Sequence, residues 1–205
     1  DEGSQLLALI SGAKRGEVVV DFCAGAGGKT LALAAMMNNT GRLYAMDVSE
    51  KRLANIKPRI ARAGVGNITP QRLDHERDLR LKKLWYKADR VLVDAPCSGL
   101  GVLRRRAEAR WTKTEKDLNF FPPLQKKILA CASSYVKPGG RLVYSTCTLE
   151  ANENGRVVED FLSKHKDFTR LNFMHPLTGE TISELQLLPQ KDGIDGFYIC
   201  LLGRN

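Results

Sequence analysis

The stretch EVVVDFCAGAGGKTLALAAMM (residues 17–37) places a short β-branched run before a glycine-rich turn and a segment of helix-forming residues. Valine favours strands, whereas Leu, Ala and Met favour helices, so the stretch predicts a buried strand over 17–22 and a helix over 27–37. Glycines in the intervening loop let the backbone approach a ligand, and the helix start offers free N–H groups. We therefore expect the first βα unit of a ligand-binding α/β domain.

The rest of the chain continues this alternation of strand and helix. Further strands are expected at 42–47, 67–74, 89–94, 141–147, 184–190 and 196–202, and helices at 50–64, 123–136 and 150–165. Pro58 predicts a kink or break in the second helix, KPGG (137–140) a turn, and the stretch after 94 is irregular to about residue 121. Alternating βα units predict a seven-stranded, mostly parallel sheet with helices on both faces and a C-terminal antiparallel hairpin.

Composition favours one globular domain with a polyanionic partner. The 205 residues include 32 basic and 23 acidic side chains, a formal net charge of +9. This excess attracts phosphate groups, although a basic protein without such a partner has the same composition. No apolar run approaches the roughly 18 residues that span a bilayer. Five cysteines without a CxxC pair argue against a disulfide framework and a metal site, and indicate a reducing, cytoplasmic location.

Acidic residues at the predicted strand ends suit a nucleoside ligand, because parallel sheets bind ligands at that edge. Asp47 could accept hydrogen bonds from both ribose hydroxyls, and Asp74 could accept one from an adenine amino group. The loop fits GxGxxG poorly, since Thr30 replaces the third glycine, and it fails the Walker spacing, since Cys23 replaces the first. The pattern favours S-adenosylmethionine; a nicotinamide dinucleotide and, for Asp74, a solvated strand end are the alternatives.

Two cysteines follow predicted neighbouring strands. RVLVDAPCSG (90–99) contains Asp94 and Cys97, and YSTC ends with Cys147. Adjacent parallel strands end in one cleft, so both thiols are expected near Lys29 and the ligand. A single such cysteine is more often a packed apolar residue, but a pair beside an acid favours chemistry. A thiolate that adds to carbon 6 of a pyrimidine makes carbon 5 nucleophilic enough to accept a methyl group.

Together these motifs resemble the Nol/Nop/Sun family of RNA cytosine-5 methyltransferases, of the bacterial Sun/RsmB type. The matching segments are DEGSQ (1–5), DFCAGAGGKT (21–30), AMDVS (45–49), LDHE (73–76), VDAPCSGLG (93–101), RW (110–111), KPGGRLVYSTCTLEANEN (137–154) and DGIDGFYI (192–199). The family's loop usually reads CAAPGGK, so Gly25 and Ala26 replace Ala and Pro, and Gly155 stands where Glu is common. The pairing of DAPCSG with STC is highly specific to this family.

The resemblance implies a Rossmann-like methyltransferase domain over 1–205 that uses S-adenosylmethionine to methylate carbon 5 of a cytosine in RNA, with ribosomal RNA favoured over transfer RNA. It implies that Cys147 is the nucleophile and that Cys97 assists release of methylated RNA. We expect Asp94 to hydrogen-bond the cytosine edge and Lys29 to polarise the ring. The residues implied to bind the cofactor are Cys23, Ala24, Gly25, Ala26, Gly27, Gly28, Lys29, Asp47, Asp74 and Asp94.

A cluster of arginines after the first cysteine is expected to grip the RNA backbone, a solvated helix face being the alternative. The cluster consists of Arg104, Arg105, Arg106 and Arg110. Trp111 could stack on a base or pack in the core. The target base must be flipped or single-stranded. Family members normally carry an N-terminal RNA-binding portion, which this chain, opening on DEGSQ without a signal-peptide pattern, is expected to lack.

Two other functions compete with this interpretation. In DNA cytosine-5 methyltransferases the nucleophile belongs to the PC motif, which would make it Cys97. That class is disfavoured because DAPCSG and STC occur together, and because its Glu-Asn-Val motif after the fifth strand is absent. A non-catalytic RNA-binding scaffold is disfavoured because every expected reactive residue is intact.

Overall fold

An eight-stranded sheet forms the centre of the computed structural model, which describes residues 2–205. The strands are β1 (Val18–Asp21), β2 (Arg42–Asp47), β3 (Ile68–Arg72), β4 (Ala88–Asp94), β5 (Val136–Thr146), β6 (Phe168–Arg170), β7 (Phe173–Met174), β8 (Thr181–Ile182), β9 (Glu184–Leu187) and β10 (Phe197–Arg204). The α-helices are α1 (Glu2–Ser11), α2 (Gly28–Met36), α3 (Glu50–Ala54), α4 (Ile56–Ala63), α5 (Ala109–Thr112), α6 (Glu115–Ser133), α7 (Gly155–Lys164) and α8 (Pro189–Asp192). Short 3-10 helices cover Leu79–Leu84 and Leu100–Val102.

The order of the strands determines where the sheet opens a crevice that can bind a ligand. The order is β3-β2-β1-β4-β5-β10-β6, and β9 pairs with the same edge of β10 as β6, opposite β5. The first five strands are mutually parallel, whereas β10 is antiparallel to β5, β6 and β9. β1 pairs with β2 on one side and with β4 on the other, so the strand order reverses there and opens a crevice at the carboxyl ends.

The predicted mostly parallel sheet with a C-terminal hairpin is confirmed, but it has eight strands rather than seven. The additional strand, β6, is only three residues long, too short for a recognisable alternation. β7 and β8 form a separate two-stranded sheet that the sequence pattern also leaves unmarked. The segment KPGG (137–140), predicted as a turn, lies within β5 near an irregularity in its pairing with β4.

Two of the predicted helices contain or adjoin prolines, and one of these predictions is confirmed while the other is wrong. The predicted break is confirmed: α3 and α4 are separated at Asn55, because Pro58 has no N–H to donate to the carbonyl of Ala54. The helix expected over 123–136 instead begins at Glu115, inside the stretch predicted to be irregular. A capping box between Thr114 and Asp117 starts it, and Pro122 and Pro123 lie within it.

Both faces of the sheet are buried, as expected for parallel strands covered by helices. Along β5, Leu142 and Tyr144 belong to the core on one face and Val143 to the core on the other. α6 and α7 pack on the first face, and α1 and α2 cover the second. α1 falls in a stretch for which the sequence pattern predicts no element. Within residues 2–205, no helix is long and apolar enough to cross a membrane.

Gly101 joins the loop after β4 to two other segments. Its N–H donates to the carbonyl oxygen of Cys147 (3.0 Å), and its own carbonyl accepts from the N–H of Gly196 (2.8 Å). A Cβ at Gly101 would lie 2.3 Å from the Gly196 carbonyl oxygen and 2.9 Å from that of Cys147. Only glycine allows this approach, so Gly101 holds the end of β5 and the start of β10 against the loop.

We expect Gly101→Ala to lower the free energy of unfolding by about 1–3 kcal/mol, because backbone atoms must separate to admit the methyl group. Urea unfolding measures the change. The matched control is Gly66→Ala, since nothing lies within 4 Å of a Cβ at Gly66. Equal unfolding free energies for the two variants would contradict this packing.

Candidate active site

A cavity of about 750 Å³ opens at the carboxyl ends of the parallel strands. Its size falls within the range of about 300–1,000 Å³ that is typical of small-molecule sites. Most of the sequence-predicted residues line it: Cys23, Ala24, Gly25, Ala26, Gly28, Lys29, Asp47, Asp94, Cys97, Arg106 and Cys147. The fold thus brings the glycine-rich loop, two acids and both cysteines to one place.

Left-handed backbone shapes the glycine-rich loop. Gly25 has a φ of 55° and Gly27 a φ of 86°, which other residues rarely adopt. Gly27 does not line the cavity; a Cβ there would lie 2.1 Å from Cγ1 of Ile56, so it lets the loop pack on α4. α2 begins at Gly28 without a side-chain cap, which leaves N–H groups of its first turn available to a ligand.

Asp47 ties the loop to the end of β2. One carboxylate oxygen accepts the N–H of Gly25 (2.8 Å), and the other accepts the N–H of Ser49 (2.8 Å) and lies 3.1 Å from the Arg52 guanidinium. The side chain is almost fully buried at the cavity wall. Because a carboxylate has about four acceptor positions, Asp47 can still bind a ligand hydroxyl.

Asp74 lies apart from the cavity lining. Its side chain is 55% exposed and pairs with Arg80 at 3.1 Å. The buried acid of this segment is Asp78, which accepts the N–H groups of Asp74 and Arg80 (3.0 Å each). The structure therefore does not bring Asp74 to the other predicted cofactor residues, and its placement matches the solvated strand end.

Lys29 and Asp94 form an ion pair inside the cavity. The Lys29 ammonium lies 2.6 Å from a carboxylate oxygen of Asp94, and both side chains are largely buried. Burial lowers the pKa of Lys29, but the attraction of Asp94 outweighs it and raises the pKa overall. Lys29 is thus held as a cation beside the cysteines.

The two cysteines form a hydrogen-bonded pair. Their sulfur atoms are 3.3 Å apart, and the N–H of Cys147 points to the Cys97 sulfur at 3.4 Å. The bond from Cys97 lowers the pKa of Cys147, assisted by Lys29 and Arg106, against burial and Asp94. The same bond raises the pKa of Cys97, with burial. These charges favour a thiolate on Cys147 that accepts a hydrogen bond from the Cys97 thiol.

Cys147 differs in this respect from the other cysteines of the chain, all of which lie in the described range. Burial is the main cause that raises the pKa of Cys23, Cys131 and Cys200, in the last case to about 12. All five thiols are free. Within residues 2–205, no group of three or more His, Cys, Asp or Glu side chains is arranged to hold a metal ion.

Asp21 is a buried acid that the sequence motifs do not single out. It is fully buried at the end of β1, where one oxygen accepts the Thr30 hydroxyl proton (2.7 Å). Burial raises its pKa to about 7, against the opposing effects of Thr30 and Lys29. The available signal is its position, since Asp21 ends an apolar run just as Asp94 does.

The predicted arginine cluster divides into two parts. Arg104 and Arg105 both pair with the buried carboxylate of Asp195, Arg104 at 3.1 Å, and thereby anchor the turn before β10. Arg106 lines the cavity, and Arg110 is exposed. Trp111 is 87% exposed, so its interpretation as a core residue is wrong. Arg106 remains available at the cavity, and the exposed Arg110 and Trp111 belong to α5, whose residues Ala109 and Thr112 line it.

Comparison with known proteins identifies the family. The model of the family described as 16S rRNA methyltransferase RsmB/F matches residues 8–203. The chain belongs to the RsmB/F family. A curated relative, the probable ribosomal RNA small subunit methyltransferase B of Bacillus subtilis, is 36% identical over all of this chain and 47% of its own length. The chain thus spans about half the length of the curated relatives it matches.

Solved structures share the RsmB/F chain's fold. NSun6 from Pyrococcus horikoshii, determined with the S-adenosylmethionine analogue SFG, superposes with a TM-score of 0.84 at 32% identity, over 98% of this chain and 51% of that one. A methyltransferase homologue from the same organism gives 0.82 at 31% identity, over 99% and 66%. The predicted family and the Rossmann-like methyltransferase fold are confirmed.

The thiol pKa difference predicts a reactivity order in this RsmB/F chain. We expect iodoacetamide to alkylate Cys147 before the other cysteines. In Lys29→Met, the midpoint of the pH profile of Cys147 alkylation should move upward by about one unit, because a cation that stabilises the thiolate is removed. Mass spectrometry of peptides after timed alkylation gives the profile. Lys57→Met, on the exposed side of α4, is the control. Alkylation of Cys97 first would contradict the assignment.

Asp21 predicts a pH-dependent stability. The native state keeps its proton up to about pH 7, whereas the unfolded chain releases it near pH 4, so this group makes the unfolding free energy fall as the pH rises between them. We expect the unfolding free energy of Asp21→Asn, relative to that of the wild type, to rise by on the order of 2–4 kcal/mol from pH 4.5 to pH 7.5. Urea unfolding at each pH measures it. The control is Asp167→Asn, whose side chain is exposed and which should show no such rise. If the unfolding free energies of Asp21→Asn and the wild type depend on pH in the same way, Asp21 does not keep a proton in the native state.

Proposed function

We propose that this chain transfers a methyl group from S-adenosylmethionine to carbon 5 of a cytosine in RNA, with ribosomal RNA favoured. The observation that carries the proposal is the pair of sulfur atoms, 3.3 Å apart, beside the Lys29–Asp94 ion pair in one cavity. The names of the relatives support RNA as the substrate class, and residues 1–205 would then form the catalytic domain.

The residues of the cavity fit S-adenosylmethionine. No atom lies within 4 Å of a Cβ built at Gly25 or Gly28, so the loop leaves room for a ligand against its backbone. Asp47 offers acceptors for ribose hydroxyls, and the free N–H groups at the start of α2 suit the carboxylate of the methionine portion. When bound there, the cofactor supplies an electrophilic methyl group on a sulfonium ion.

The base would bind between the ion pair and the cysteines. Asp94 accepts a hydrogen bond from the amino group of cytosine, and Lys29 polarises the ring. The pair is already formed at 2.6 Å, so a base that enters meets oriented partners rather than mobile side chains. A base inside a duplex cannot reach this depth, and the substrate is therefore single-stranded or flipped.

Cys147 then activates carbon 5 of the base for methylation. Its thiolate forms a bond to carbon 6, the double bond between carbons 5 and 6 breaks, and its electron pair makes carbon 5 the nucleophile that accepts the methyl group. The proton on carbon 5 leaves, the double bond forms again, and the bond from sulfur to carbon 6 breaks. Lys29 and Arg106 favour the required thiolate.

Cys97 would act in the second half of this sequence. Its pKa is raised mainly by the bond to Cys147. Once Cys147 is bonded to carbon, that thiolate no longer exists, so the pKa of Cys97 falls. The Cys97 thiol can then release its proton to solvent, and the resulting thiolate accepts the carbon 5 proton. This role matches the assistance in RNA release expected from the family motif.

The competing functions lack comparable support. Transfer RNA remains an alternative substrate, because nothing in the cavity itself distinguishes two RNAs that present an accessible cytosine. A DNA-type mechanism would need Cys97 as the thiolate, whereas the surrounding charges favour Cys147. A scaffold without activity does not need a low-pKa thiol in its cavity.

Covalent trapping tests the proposal. With cytosine-containing 16S rRNA transcripts and S-adenosylmethionine, we expect Cys97→Ala to accumulate a protein–RNA adduct on a denaturing gel, because release is blocked. Cys147→Ala should form none, and the wild type should yield 5-methylcytidine on nucleoside analysis. Cys131→Ala, a change of a thiol outside the cavity, is the control. An adduct with Cys147→Ala would reverse the roles of the two cysteines.

A further inference from the structure

Two adjacent buried residues lie behind the cysteine pair, outside the cavity lining. Glu153 is fully buried and Asn154 is 2% exposed, immediately before α7. The backbone carbonyl of Glu153 accepts the hydroxyl proton of Tyr144 on β5 at 2.6 Å. Both residues are therefore fixed to the sheet next to the strand end that carries Cys147.

Glu153 holds the segment on both sides of Cys97. One of its carboxylate oxygens accepts the N–H of Ser98 (3.0 Å) and the side-chain amide of Gln125 (2.8 Å). The same amide nitrogen of Gln125 donates to the carbonyl oxygen of Pro96 (3.0 Å). Residues 96 and 98 are thus both tied to one carboxylate.

Asn154 holds the segment on both sides of Cys147. Its side-chain oxygen bonds the hydroxyl of Thr146, and its amide donates to the carbonyl oxygen of Thr148 (3.1 Å). The hydroxyls of Ser98 and Thr148 join the two segments directly at 2.7 Å. Each cysteine is therefore flanked by residues anchored to the same dipeptide.

We propose that Glu153 and Asn154 are positioning residues that set the separation of the Cys97 and Cys147 sulfur atoms. A buried carboxylate is costly unless hydrogen bonds compensate it, and the donors that compensate Glu153 lie in the Cys97 segment and on α6. The inference rests on the proposed function for its catalytic meaning, because the hydrogen bond from Cys97 that favours the Cys147 thiolate forms only at this separation.

The chemistry of position 153 yields a sharp comparison. Two donors converge on one oxygen, so the carbonyl oxygen of Gln can replace it, whereas Leu has a similar volume and no acceptor. Glu153→Leu should release the Cys97 segment, remove the bond between the sulfurs and make the Cys147 thiolate harder to form. Glu153→Gln should keep the Cys97 segment in place, keep the bond between the sulfurs and leave the Cys147 thiolate as easy to form as in the wild type.

The test is the pH profile of Cys147 alkylation, which requires neither RNA nor cofactor. We expect the midpoint to rise by about one unit in Glu153→Leu and in Asn154→Leu, and to stay near the wild-type value in Glu153→Gln. The control is Val157→Ala, which removes buried volume from α7 away from these hydrogen bonds. Circular dichroism verifies that each variant is folded.

Each outcome decides the inference. A midpoint unchanged in folded Glu153→Leu, or raised equally in Val157→Ala, overturns it. If Glu153→Leu does not fold, Gln125→Leu loosens the same segment through Pro96, and an unchanged midpoint there overturns the inference instead. If the wild type does not methylate RNA while the alkylation midpoints of the variants shift as expected, the result counts against the proposed function alone, so the two failures are distinguishable.

Discussion

The contact between two sulfur atoms, 3.3 Å apart, is the constraint on which the chemistry of this chain depends. Parallel pairing of β4 with β5 sets Asp94 opposite Ser145, and the cysteines follow three and two residues later. A slip of one residue would move a sulfur by about 3.3 Å and turn its side chain to the other face. Sheet register, local hydrogen bonds and thiol ionisation are thus parts of one arrangement.

Charge balance in the cavity follows from that arrangement. Asp21, Asp47 and Asp94 converge at neighbouring strand ends, a place that a sulfonium ligand and a lysine both suit. Their mutual repulsion is reduced because Asp21 keeps its proton to about pH 7, Asp47 is bonded to the loop, and Asp94 pairs with Lys29. The thiolate of Cys147 is thus favoured beside a cation rather than opposed by unpaired acids, and the pKa of Cys147 is lowered.

The fold and the cavity could be read largely from local patterns, since glycines, strand-end acids and cysteines stand in order along the chain. What local patterns miss depends on distant partners. Asp74 turns to Arg80 rather than to the cavity, Arg104 is bound by a carboxylate 91 residues later, and α6 contains two prolines that suggest a break. The Glu- and Asn-rich segment that contains Glu153 resembles a solvated helix start, and only the folded structure shows that Glu153 lies next to the Cys97 segment.

Peptide mapping of the wild-type chain trapped on RNA that contains 5-azacytidine is the most direct measurement. The azacytosine ring accepts the thiolate at carbon 6 and has no proton on position 5 to release, so the adduct persists. Mass spectrometry should find the nucleotide on the tryptic peptide that carries Cys147. A nucleotide on the Cys97 peptide instead would contradict the assignment of the thiolate and the mechanism built on it.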